Sequence, residues 1–92
     1  MPLRPTLQAP NPVRRSSSIR WQLPVSGRAR LAVFDVSGRV VRVLAEGLTD
    51  AGTYVTAWDG RDAEGRSVAN GTYLYKLETQ SGLKTAKAVL LR

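Results

Sequence analysis

Residues 17 to 23 read SSIRWQL, which puts Ile19, Trp21 and Leu23 on one side of an extended backbone and Arg20 and Gln22 on the other. Period-two alternation of this kind predicts a strand with one face in a core. Pro24 lacks a backbone donor and ends it, and "PVSG" makes the turn. "ARLAVFDV" (29–36) is apolar on both faces, which predicts a central strand. Ser37-Gly38 predicts a two-residue hairpin link into "RVVRVLAE" (39–46). "GLTDAG" (47–52) is predicted as a loop. "TYVTAW" (53–58) alternates again, with Tyr54, Thr56 and Trp58 on one face. "TYLYKLET" (72–79) groups Tyr73, Tyr75 and Leu77. "QSG" turns the chain into a last strand, "LKTAKAVLLR" (83–92), and no window carries a helical stripe.

Six or seven short strands between glycine-rich turns predict an all-β, antiparallel sandwich. Its expected core contains Trp21, Leu31, Val33, Trp58, Tyr73, Tyr75 and Leu77. Four of the five prolines (Pro2, Pro5, Pro10, Pro12) fall in residues 1–15, which are expected to form an extended arm or linker with a short edge strand near Thr6 to Ala9. Residues 16–92 are then the folded domain.

A length of 92 residues allows one such domain. Its 42% hydrophobic content suits a globular protein. The chain has neither cysteine nor histidine, which excludes disulfides and thiolate metal sites and removes the commonest general base. No apolar run approaches the ~20 residues of a membrane helix, and the first ten residues hold no signal core. If the protein is exported, its signal is expected elsewhere, on a longer parent chain. The net charge of +7 raises nucleic acid as a partner, but the bases are spread from Arg4 to Arg92 and alternate with apolar residues, as on solvated strand faces. Nucleic acid is accordingly not expected as a partner.

The loop "WDGRDAEGRSVANG" carries Asp59, Asp62 and Glu64. These are the candidate metal ligands, and a weak set. A calcium loop of EF-hand type needs oxygen donors at alternating positions and a closing glutamate; here Arg61 stands third and Asn70 twelfth. Paired carboxylates for catalysis need a cleft that perturbs one of them. "DAEG" and "ANG" are explained instead as successive turns. No catalytic residue, cofactor, metal or small-molecule substrate is expected.

The motifs "PNP", "IRWQLP", "ARLAVFDVSGRVVRVL", "WDGRDAEGRSVANGTYLYKL" and "KAVLLR" together resemble the FlgD-type immunoglobulin-like domain, over about residues 9 to 92. That module is similar to the C-terminal sorting domain of the type IX secretion system. The resemblance rests on Gly38-Arg39, the Trp58-Asp59-Gly60 corner, Gly65, the Gly71-Thr72-Tyr73 strand opening and the closing strand. It implies an immunoglobulin-like β-sandwich of about seven strands without an active site. It also implies a secreted or surface location, and secretion or surface machinery as partner. In sorting domains of that type the last strand and its basic end are read by the export apparatus; Lys87, Ala88, Val89, Leu90, Leu91 and Arg92 occupy that position.

Two rivals remain open at this point. The chain could be a self-assembling structural subunit that pairs its N-terminal arm with a neighbouring copy. It could instead be a basic module for acidic polymers, which would gather Arg20, Arg28, Arg30, Arg39 and Arg42 on one face.

Overall fold

In a computed structural model, which describes residues 4–92, the alternating segments become strands. The first three residues of the expected arm lie outside the described residues. The strands are β1 (Thr6–Gln8), β2 (Ser17–Leu23), β3 (Gly27–Asp35), β4 (Val40–Thr49), β5 (Gly52–Trp58), β6 (Gly71–Thr79) and β7 (Gly82–Leu90). They form two antiparallel sheets, β1-β2-β5 and β4-β3-β6-β7, with no helix among the described residues. The all-β sandwich expected from the pattern is the fold.

β2 alternates buried and exposed without interruption, and its Ile19, Trp21 and Leu23 face the other sheet. β3 lies between β4 and β6, where its two apolar faces are both used. Leu31 and Val33 enter the core between the sheets. Ala32 and Phe34 point the other way and are still buried. Part of that cover is Lys76, whose ammonium lies 4.5 Å from the Phe34 ring centroid.

Trp58, Tyr75, Leu31 and Leu77 are among the largest fully buried side chains. Trp58 meets Tyr73 and Tyr75 edge to face, with ring centroids 5.4 and 6.0 Å away. Trp21 stacks on Tyr54 at 4.7 Å. Each such ring removes roughly 150–250 Å² from water, so a few aromatics dominate the core of a small domain.

Both strands that open on Gly-Thr-Tyr tie their tyrosine back four residues. The Tyr54 hydroxyl donates to the Asp50 carbonyl at 2.6 Å, and the Tyr73 hydroxyl to the Ala69 carbonyl at 2.6 Å. The second, at the start of β6, has the form of the tyrosine corner of immunoglobulin-like sandwiches.

Two local expectations change. Residues 47–49 extend β4 instead of looping, and only Asp50 and Ala51 connect it to β5. β3 runs back to Gly27, so Gly27, Arg28 and Ala29 offer ladder partners to Thr49, Leu48 and Gly47, and pairing overrides the local turn preference. The β3–β4 hairpin is also longer than the two-residue Ser37-Gly38 link. Asp35 donates its N–H to the Arg39 carbonyl (2.9 Å) and accepts from the Gly38 N–H (3.0 Å), leaving a three-residue loop with Gly38 at φ +89°.

Residues 4–15 lie against their own domain. β1 pairs with β2, Thr6 opposite Gln22 and Gln8 opposite Arg20, and Pro5 is fully buried. The segment then crosses to the other sheet. Val13, fully buried, donates to the Val89 carbonyl (2.7 Å) and accepts from the Leu91 N–H (2.9 Å). Asn11 donates to the Lys87 carbonyl (2.7 Å) and accepts from the Val89 N–H (2.8 Å).

Candidate functional site

The acidic loop and the end of the last strand, which the sequence presents as separate candidates, meet in space. Arg92 follows β7 and turns its guanidinium into the loop. It donates to the Val68 carbonyl at 2.8 Å and to the Gly60 carbonyl. Its backbone N–H donates to the Asn70 side chain at 3.1 Å. One charged side chain thus caps the Val68 carbonyl and adds a second donor to the Gly60 carbonyl, which already accepts from the Val68 N–H at 3.1 Å.

The three acids of the loop are each engaged. Asp59 accepts from an Arg42 guanidinium N–H (2.9 Å) and from the Arg61 N–H (3.1 Å). Asp62 accepts from the backbone N–H groups of Glu64 and Arg66, both at 3.0 Å. Glu64 stands 3.5 Å from an Arg66 terminal nitrogen. Among the described residues no three acidic side chains converge as metal ligands.

Asp62 to Arg66 repeats Asp35 to Arg39. In both segments the aspartate N–H bonds the arginine carbonyl, at 2.9 Å in each case. In both the glycine N–H bonds the aspartate carbonyl, at 3.0 Å, and the glycine takes positive φ (+89° at Gly38, +81° at Gly65). In both the carboxylate holds the arginine Nε, at 3.2 and 3.3 Å. The spacing Asp-x-x-Gly-Arg occurs twice in the sequence, and its recurrence was the signal for this twin turn. Reading the two loops separately, as a two-residue link and an acidic loop, misses it.

A cleft of about 580 Å³ lies between the turns, lined by Asp35, Arg39, Asp62, Arg66 and Tyr73 among others. The Ser37 hydroxyl, then the Arg39 and Ser37 N–H groups and the Arg39 side chain, hold the Asp35 carboxyl down at about 2 against an ordinary 3.8. The Arg66 N–H leads the same downward shift at Asp62. Carboxylates stabilised in this way remain ionised at neutral pH and have no proton to give as general acids. Burial pushes the Tyr73 hydroxyl upward. The cleft therefore presents fixed, paired charges.

The five arginines expected to gather for an acidic polymer do not share a face. Arg20 points outward from the three-stranded sheet, and Arg28 and Arg30 from the four-stranded one, on the opposite side. Arg30 pairs with Glu46 and Glu78, Arg39 with Asp35 and Arg42 with Asp59. In β7, Ala88 and Leu90 are buried, Val89 is half-buried and Lys87 is exposed, as are Leu91 and Arg92 beyond its end. Among the described residues neither Lys84 nor Lys87 belongs to an ion pair.

Residues 14–82 match the family model of the FlgD Ig-like domain. The chain belongs to that family. Basal-body rod modification protein FlgD of Salmonella typhimurium is 38% identical to this FlgD Ig-like domain over 50 residues, which make up 54% of the chain and 22% of the relative. The chain thus spans less than a quarter of that protein. FlgD from P. aeruginosa, a solved structure, is 27% identical with a TM-score of 0.61, covering 91% of this chain and 69% of that one. Two further structures share the fold. Dimeric latent PorU from Porphyromonas gingivalis has a TM-score of 0.74 at 22% identity, covering 95% of this chain and 9% of its own. PorZ of the same organism, a surface component of the type-IX secretion system, has a TM-score of 0.60 at 20% identity, covering 94% of this chain and 11% of its own. The family match stops at Gly82, so β7 beyond that residue lies outside it.

Proposed function

We propose that this FlgD Ig-like domain is a non-catalytic module for secretion sorting or cell-surface attachment of an exported bacterial protein. Its partner is then export or surface machinery, and its location is secreted or on the cell surface. The single observation that carries the proposal is the exposure of β7. Gly82, Leu83, Lys84 and Thr85 are all exposed, and Lys84 and Lys87 stand outside the ion pairs. The strand is nevertheless anchored at its far end by Leu90 and Arg92. A rigid strand with open lysines suits recognition by another protein, because little entropy is lost when it docks. Fold likeness to a type-IX surface component over 94% of the chain supports the same choice. A non-enzymatic role fits carboxylates locked by arginines and a chain without histidine or cysteine.

The test is to fuse the domain behind a reporter in a bacterium with a type IX system. Reporter in the medium or on the surface, dependent on the domain, supports the proposal. Reporter retained inside the cell with the domain folded rejects it. Strand exchange through the N-terminal arm is not favoured, because Val13 and β1 are already paired within their own domain.

A further inference from the structure

Each sandwich sheet has two outer strands, and three of the four are protected against pairing with another chain. β1 is only three residues long. β4 is broken by two register shifts, carries Arg42 and Glu46, and has its Val41 carbonyl occupied by the Ala63 N–H. β7 carries Lys84 and Lys87, and Asn11 and Val13 bond its outer rim. Short length, bulges, charges and cover are the devices by which natural sheets blunt their edges.

β5 has none of them. It is seven residues, Gly-Thr-Tyr-Val-Thr-Ala-Trp, without charge or proline. Its register against β2 is unbroken from Gly52 to Trp58. The hydrogen bonds among the described residues include none from a loop or side chain to its backbone beyond the β2 ladder. Half of its backbone groups therefore face outward as a pairing template. Val55, 67% exposed, stands at its midpoint on the outer face, flanked by exposed Thr53 and Ala57.

We propose that β5 is a self-pairing edge: two copies of this chain join β5 to β5 antiparallel about a twofold axis at Val55. This makes one six-stranded sheet. The sequence is self-complementary in that register. Val55 meets Val55 of the partner copy, and Thr53 meets Ala57, so small or β-branched residues face one another across the axis. A chain of net charge +7 repels its own copy, and the neutral strand is where that repulsion is least. Arg20 sits beside Val55 on β2. Strands spaced about 4.8 Å apart put the two β2 strands roughly 14 Å from each other, beyond the ~8 Å screening length of physiological salt.

The chain has no cysteine, so engineered cysteines read the register cleanly. The parent chain should shift from the mass of one chain to that of two as its concentration rises in sedimentation equilibrium. Val55→Cys should form a disulfide-linked dimer under mild oxidation, because directly opposed Cβ atoms fall within disulfide reach. Thr53→Cys and Ala57→Cys should each fail alone and crosslink when mixed. Val36→Cys, in an exposed hairpin loop, is the collision control and should remain uncrosslinked. Val55→Lys should restore the mass of one chain, since two lysines would stand opposite each other, and should melt at the temperature of the parent diluted to one chain. A parent that remains one chain at every concentration overturns the proposal. So does a dimer that survives Val55→Lys, or Thr53→Cys crosslinking as fast as Val55→Cys.

Discussion

The Arg92 guanidinium lies 2.6 Å from where a Cβ on Gly60 would stand, and it donates to the Gly60 carbonyl. Gly60 also has φ +73°, in the left-handed region. Gly60→Ala therefore meets two separate obstacles, a steric one that belongs to Arg92 and a backbone one that does not. The backbone obstacle is worth about 1–2 kcal/mol. In urea unfolding, Gly60→Ala should cost more in the parent than in an Arg92→Ala background. The cost left in that background should be the left-handed residue alone. Equal costs in both backgrounds would mean that Arg92 does not fill that space.

Trp58 is fully buried between Tyr73 and Tyr75 and bonds the Arg61 carbonyl through its indole N–H at 3.0 Å. It joins the end of β5 to the loop that Arg92 clamps. Trp58→Ala should cost about 3–5 kcal/mol, a large share of the stability of a domain this small. A thermal melt within a few degrees of the parent would contradict the packing described.

The hydroxyls of Ser17 and Tyr75 are buried, and among the described residues they face only each other, short of a well-formed hydrogen bond. A buried polar group without a partner costs about 1–3 kcal/mol. Tyr75→Phe keeps the ring against Trp58 and removes that hydroxyl. It should raise the urea midpoint without changing the slope of the transition. A lowered midpoint would show that the hydroxyl has a partner in solution.

Asp35 is held at about 2 in the fold against an ordinary 3.8, and Asp62 shifts in the same direction. A depressed folded-state value adds stability above the unfolded value that is lost as pH falls toward the folded one. Stability should therefore hold from neutral pH down to near 3.8 and decline between there and about 2. The Asp35→Asn, Asp62→Asn double variant should show a shallower decline in that window. An unchanged pH profile would mean that the twin turns do not form as described.

Strand order along the chain was legible because each strand states its own period. SSIRWQL and TYLYKLET bury alternate residues, and ARLAVFDV buries both faces because it is central. Residues 47–49 were not legible. Gly47, Asp50 and Gly52 mark the segment locally as a turn, and only the backward extension of β3 makes residues 47–49 strand. The fate of Arg92 was likewise hidden. Its partners Gly60 and Val68 lie 32 and 24 positions away, and no local pattern encodes such a contact. The recurrent Asp-x-x-Gly-Arg and Gly-Thr-Tyr segments stood in plain view, because local hydrogen bonds within five residues build both.

Reporter export tests the sorting role most directly when folding is held constant. Lys84→Glu, Lys87→Glu reverses the open charges of β7 and leaves Leu90 and Arg92 in place. The quantity to measure is the fraction of a domain-fused reporter outside a type IX-competent cell, for the parent and for this variant, with the melting temperature of each purified domain as control. Efficient export by the parent and a large loss in the equally stable variant is the expected result. Equal export by both would contradict recognition through this strand, and retention of the parent inside the cell would contradict a sorting role altogether.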